Sequence, residues 1–152
     1  MIIRKARSDE IQQLQNLNDE AFADNPHFDP DLDPSWAQSD KGKEYFTKAV
    51  NSSTSCFLVA EDKGKLIGYI AAAPNNFDYR RSTYVEIENL GIVPEYRSQG
   101  VGTQLMNRCL TWTKEKGYKK VFLHSYAKNN NALSFYNKQG FSEIFVTLEK
   151  NI

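Results

Sequence analysis

"YRSQGVGTQL", residues 96–105, decides how the rest of the chain is read. Gly100-Val101-Gly102 runs directly into a helical pattern, in which Val101, Leu105, Met106, Cys109, Leu110 and Trp112 form one apolar stripe to about Lys116, closed by Gly117. Two glycines in a helix's first turn are unfavourable, because each loses more backbone freedom on ordering than Ala would. Upstream, "STYVEIENLGIV" (82–93) alternates as a strand and Pro94 ends it. Strand, tight turn and glycine-opened helix together leave several backbone N–H groups unpaired around one concavity. The helix end adds roughly half a positive charge there. An anion site is predicted, in which the glycines let a phosphate reach the main chain and Arg97 adds a charge-assisted donor at the rim. The competing reading is that the glycines only permit close packing of helix on sheet. Leu105 stands where a dinucleotide fingerprint needs its third glycine, and no Lys follows Gly102, so neither that fingerprint nor a nucleoside triphosphate loop fits.

Working outward, "MIIRKAR" reads as a short strand, and Ser8 as the cap of a helix through Ile11, Leu14, Leu17, Ala21 and Phe22. "DNPHFDPDLDP" (24–34) stops that helix with three prolines, and a second helix is predicted from about Ser35 to Val50. "SCFLVAEDKGKLIGYIAAAP" (55–74) is two apolar runs joined by Asp62-Lys63-Gly64, which is hairpin chemistry. Downstream come a strand in "KKVFLHSY" (119–126), a short helix in "NNNALSFYNKQ" (129–139) ended by Gly140, and a last strand in "FSEIFVTLEK" (141–150). The order βααβββαβαβ predicts an α/β (α+β) fold, a mixed sheet with helices packed against it, in one domain over 1–152.

Composition narrows the function. With 19 basic and 19 acidic side chains among 152 residues there is no net charge to attract nucleic acid or a membrane surface. Cys56 falls in a strand pattern and Cys109 in a helical one, so the two predict core thiols rather than a disulfide framework or a metal site. "MIIRKARSDE" lacks the apolar stretch of a signal peptide, and no run approaches 18 apolar residues, so the cytoplasm is the expected compartment.

Two motifs carry a resemblance. Arg97-Ser98-Gln99-Gly100-Val101-Gly102 follows a strand ending "LGIVPEY", and Asn129, Ala132, Phe135, Tyr136, Gly140 and Phe141 recur downstream in fixed order. In both, the chain resembles the GNAT superfamily of acyl-CoA-dependent N-acetyltransferases, best over residues 55 to 148. The resemblance implies a mixed, mostly antiparallel twisted sheet of six to seven strands with about four helices, and acetyl-CoA as co-substrate with no metal. It implies that the pantetheine arm lies along Leu90, Gly91 and Ile92, where that strand splays from its neighbour. The pyrophosphate would sit on Arg97, Ser98, Gln99, Gly100, Val101, Gly102 and Thr103. Asn129 would bond the cofactor arm and Tyr136 would face the thioester sulfur. A homodimer is an option the resemblance raises.

Acetylation of an amine needs a neutral nucleophile, and a lysine-like amine of pKa near 10.4 costs roughly 4 to 5 kcal/mol to hold neutral at pH 7. Glu86 and Glu88 alternate onto one face of strand 82–93, so either could take the proton directly or through water. Glu88 is preferred as the closer to the motif. His124 is a reserve base, ending the next strand where some relatives of that superfamily carry a Glu. Tyr136 would hydrogen-bond or protonate the departing thiolate, and the backbone N–H near Ile92 would polarise the thioester carbonyl. The expected acceptor is an amine of a small molecule or peptide. A protein lysine or N-terminus, and a CoA-binding regulator without turnover, remain as alternatives. Asp24, Asp29, Asp31 and Asp33 favour a cationic acceptor, whereas Arg80 and Arg81 favour one bearing an acid.

Overall fold

The two-residue turn Lys63-Gly64 sets the centre of the sheet. Both residues take positive φ (48° and 80°), the turn whose twist matches that of the adjoining strands, and it closes with Asp62 paired to Lys65. The computed structural model describes residues 1–152. Its strands are β1 (Ile2–Lys5), β2 (Cys56–Asp62), β3 (Lys65–Pro74), β4 (Tyr84–Ile92) and β5 (Lys120–Leu123). Its helices are α1 (Ile11–Ala21), α2 (Asp40–Asn51), α3 (Val101–Glu115) and α4 (Asn130–Lys138). The sheet order is β1-β2-β3-β4-β5. Neighbours are antiparallel up to β4, and β5 lies parallel to β4, which requires a crossover that α3 supplies.

Helices cover both faces. Phe57 of β2 stacks on Tyr69 of β3 with centroids 5.5 Å apart, and Phe46 of α2 meets both edge-on. The chain neighbour of Phe57, Cys56, points the opposite way, as strand geometry requires, into the core that Cys109 of α3 also enters. Both cysteines are free and buried, as expected of core thiols. No helix is long and apolar enough to cross a membrane.

Three expectations are corrected. Ser8 caps nothing: its hydroxyl goes to Asn51, and the chain enters α1 through a 3₁₀ turn, Ser8–Glu10, in which the Glu10 carboxylate takes the Arg7 N–H and the Arg4 guanidinium. The second helix is split. Ser39 is extended and its hydroxyl accepts the Gly42 N–H, so α2 starts at Asp40 behind a separate 3₁₀ turn, Trp36–Gln38. A Cβ on Gly42 would lie 2.3 Å from the Trp36 carbonyl oxygen, so only glycine fits this contact.

The third correction concerns "FSEIFVTLEK". Residues 141–150 form no strand, and the sheet has five strands rather than six or seven. Alternation makes a segment suited to pairing, but a strand exists only where a partner takes its N–H and C=O groups. No segment of this chain lies in register with it.

Candidate active site

Past β4, a 3₁₀ turn (Pro94–Tyr96) closes with Arg97 N donating to the Pro94 carbonyl. The first bond of α3 is Gln104 N to the Gly100 carbonyl, 3.1 Å. Between these, the amides of Ser98, Gln99, Gly100, Val101, Gly102 and Thr103 meet no acceptor within the protein. Ser98 (φ 60°) and Gly100 (φ 81°) are both left-handed, and interrupting right-handed backbone in this way curls successive N–H groups into a concave anion seat. The glycines are not packing devices. A Cβ on Gly100 would touch nothing within 4 Å, and one on Gly102 would make only ordinary contact, 3.5 Å from the Phe135 ring. Gly100 permits the backbone turn; Gly102 keeps the seat clear.

Arg97 is placed differently from the rim donor expected. Its guanidinium bonds Asp24 (3.1 Å), the Ala21 carbonyl (2.9 Å) and the Ile92 carbonyl (3.2 Å). It therefore ties the C-terminus of α1 to the turn and braces the turn's shape, while the turn's own amides stay unpaired.

β4 and β5 pair only from Tyr84↔Lys120 to Ile87↔Leu123. Beyond Ile87, β4 continues through Leu90, Gly91 and Ile92 against β3 alone, so a cleft opens between the two strands and leads to the turn. A Cβ on Gly91 would come within 3.0 Å of Ala21 and Phe22, so glycine there brings α1 onto this wall. On the other side, Asn129 caps α4 by accepting the Ala132 N–H. Tyr136 is flanked by the Phe135 and Phe141 rings, and its hydroxyl bonds no protein group. Burial raises its phenol above the ordinary value, so the O–H stays protonated and available as a donor.

The three base candidates resolve into two units. Glu88 accepts the Tyr45 hydroxyl of α2 at 2.8 Å, and Asn89 donates to the same hydroxyl at 2.9 Å. Glu88 is the extra residue of a β-bulge, since Ala71 pairs with Asn89 and Ala72 with Ile87, and bulges re-aim side chains beside working sites. Glu86 accepts from Asn75 at 2.7 Å and lies 3.3 Å from Nδ1 of His124.

A sequence profile of the Acetyltransferase (GNAT) family matches residues 11–141. The chain belongs to this family. An uncharacterized N-acetyltransferase of Archaeoglobus fulgidus is 27% identical over 140 residues, 91% of each chain. Another, of Methanocaldococcus jannaschii, is 31% identical over 102 residues, 65% of this chain and 44% of that protein, so the chain spans less than half the length of some relatives. Among solved structures, the PaiA N-acetyltransferase of Thermoplasma acidophilum in complex with coenzyme A superposes with TM-score 0.79 at 23% identity, over 93% of this chain and 89% of that one. Aminoglycoside N-acetyltransferase AAC(6')-Iy superposes with TM-score 0.75 at 17% identity, over 99% and 93%. These likenesses show that the fold is that of GNAT acetyltransferases.

Within this GNAT fold, the Pro-rich loop 24–34 is folded onto the segment after β5. Phe28 stacks on Tyr126, whose hydroxyl donates to Asp29. Arg80 faces the rings of Phe77, Tyr84 and Phe145. Tyr45, Asn75 and Asn89 escaped the sequence reading, since each acts on a partner from another element or across a strand pair and no local pattern marks them. The left-handed Ser98 was missed as well; its small side chain between Arg97 and Gln99 was the only signal.

Proposed function

We propose that this chain transfers the acetyl group of acetyl-CoA to a primary amine of a small molecule or peptide by direct attack in a ternary complex. The observation that carries the reading is the run of unpaired amides from Ser98 to Thr103, shaped by two left-handed residues at the mouth of the β4–β5 cleft. Such a seat suits a diphosphate. The cleft beyond it, walled by Leu90, Gly91 and Ile92, suits an extended arm running toward Glu88 and Tyr136. The named coenzyme A complex of the PaiA protein, on the same fold, supports this assignment.

In the proposed step the neutral amine nitrogen attacks the thioester carbonyl, the new C–N bond forms, and the C–S bond breaks. The amine's proton passes to Glu88, or to His124 held by Glu86, directly or through water. The departing sulfur takes its proton, or a hydrogen bond, from Tyr136. Tyr45 and Asn89 fix the orientation of Glu88, so the base needs no reorganisation when the amine arrives.

The reading is tested by titrating CoA in a calorimeter and by following free thiol release from acetyl-CoA against a panel of amines. Saturable binding with amine-dependent thiol release is expected. Binding with no turnover on any amine or protein lysine would leave a CoA-binding regulator, and absence of binding would overturn the site itself.

A further inference from the structure

Trp36 leaves 38% of its surface exposed in a turn that is otherwise fixed on several sides. Its carbonyl accepts the Ser39 hydroxyl at 2.6 Å, and the next carbonyl, of Ala37, accepts the buried Gln15 amide at 2.7 Å. The close approach of Gly42 seals the turn onto α2. The indole rests on the rings of Tyr45 and Phe46, with centroids 5.6 and 6.4 Å away. Tyr45 links it to the base, since the Tyr45 hydroxyl meets Glu88 at 2.8 Å.

Strand register places these groups over one face of the sheet. Tyr69 of β3 turns toward Phe46 of α2, and Ala71 and Ala73, on the same side of β3, pair with Asn89 and Glu86. Glu86 is in register with Phe122 of β5 and holds His124, two residues further on. The helices α1 and α2 pack over β2, β3 and β4. Past the end of β5 the loop 24–34 takes over, where Phe28 stacks on Tyr126 at 6.0 Å. A corner results, beside the point where β4 and β5 part. Glu86, Glu88 and His124 form its floor, Trp36 and Tyr45 its α2 side, and Phe28 and Tyr126 its β5 side.

We infer that this corner receives the acceptor, and that Trp36 selects one whose primary amine is carried on an aromatic ring. The assignment rests on the acyl-transfer reading for its chemistry. Glu86 and Glu88 bond Asn75, Tyr45 and His124 but no lysine or arginine, so the floor keeps its negative charge for an incoming ammonium. The walls are rings, which favour another ring by stacking and edge contact. A polyhydroxylated amine would turn hydroxyls toward those rings and leave them without hydrogen bonds. A flexible aliphatic diamine would satisfy the floor but lose rotamer freedom without gaining a stacking partner. Because the Trp36 turn is already fixed, its indole costs little ordering when the acceptor arrives.

The test compares 2-phenylethylamine with putrescine and glucosamine at saturating acetyl-CoA, following thiol release. 2-Phenylethylamine should give a kcat/KM at least about tenfold above either. Trp36→Ala should raise its KM about tenfold, the size of one lost aromatic contact, with kcat within about twofold and the KM of putrescine unmoved. Trp36→Phe should recover most of the loss. Should Trp36→Ala misfold, Trp36→Leu keeps the apolar bulk without the ring and gives the same readout. Binding is read without turnover, because the chain has two tryptophans: in Trp112→Phe, 2-phenylethylamine should change Trp36 emission saturably. A preference for putrescine or glucosamine, an equal effect of Trp36→Ala on all three amines, or emission that does not respond overturns the inference. A saturable response without thiol release from any amine keeps the aromatic-amine corner and removes the acyl-transfer reading instead.

Discussion

The Ser98–Thr103 turn and the 142–152 segment both leave a run of backbone amides without a partner, and for opposite reasons. In the turn, left-handed Ser98 and Gly100 curl the chain so that successive N–H groups share one concavity. In the segment the side chains alternate as in a strand, and a strand points successive N–H groups to alternate sides, where a neighbouring strand takes them. Convergent donors define a seat for a small anion; alternating donors define an edge for another strand. An unpaired amide therefore says little until the backbone conformation around it is known.

The largest test of that contrast is Gly102→Asp. It places a carboxylate at the anion seat, and repulsion of about 4 kcal/mol for unit charges 4 Å apart near a surface should weaken CoA binding roughly 1,000-fold by calorimetry. Unchanged affinity would place the diphosphate elsewhere. Tyr136→Phe should come next, lowering kcat about 100-fold, in the range of a lost general acid, with CoA affinity unchanged. Burial raises the Tyr136 phenol, so wild-type activity that depends on its proton should persist through pH about 10 and fall only above it. The Phe variant should lose that alkaline limb.

Hydrogen exchange separates the two regions in one experiment. CoA at about ten times its Kd should slow exchange of amides 98–103 about tenfold through binding linkage, while 142–152 should not respond to CoA. A segment that gained protection from CoA would erase the distinction. The smallest effect is expected from Gly100→Ala, which forces a Cβ into the left-handed region and should lower stability by about 1 kcal/mol in denaturant titration, with no clash to add, since nothing lies within 4 Å of that Cβ.

How much was legible follows from range. The Lys63-Gly64 hairpin, the stripe of α3 and the glycine-opened turn are written in residues a few positions apart, and all three stand as the sequence predicts. The Arg97–Asp24 pair joins residues 73 positions apart, and the Tyr45–Glu88 bond 43. No local period encodes either, so Arg97 was read as a free rim donor and Tyr45 was not read at all. The alternation of 142–150 was legible, but that no strand of this chain pairs with it was not.

By itself the sequence determined the order of elements as far as α4, the hydrophobic faces and the backbone freedom at Gly100, because these depend on side-chain period and on the presence or absence of a Cβ. Tertiary structure alone decided that Arg97 braces the turn, that the bulge sets Glu88 beneath Tyr45, and that the 142–150 pattern stays unpaired. Each of these depends on which distant group arrives within hydrogen-bonding distance, and that is settled only when the sheet and helices have closed around one another.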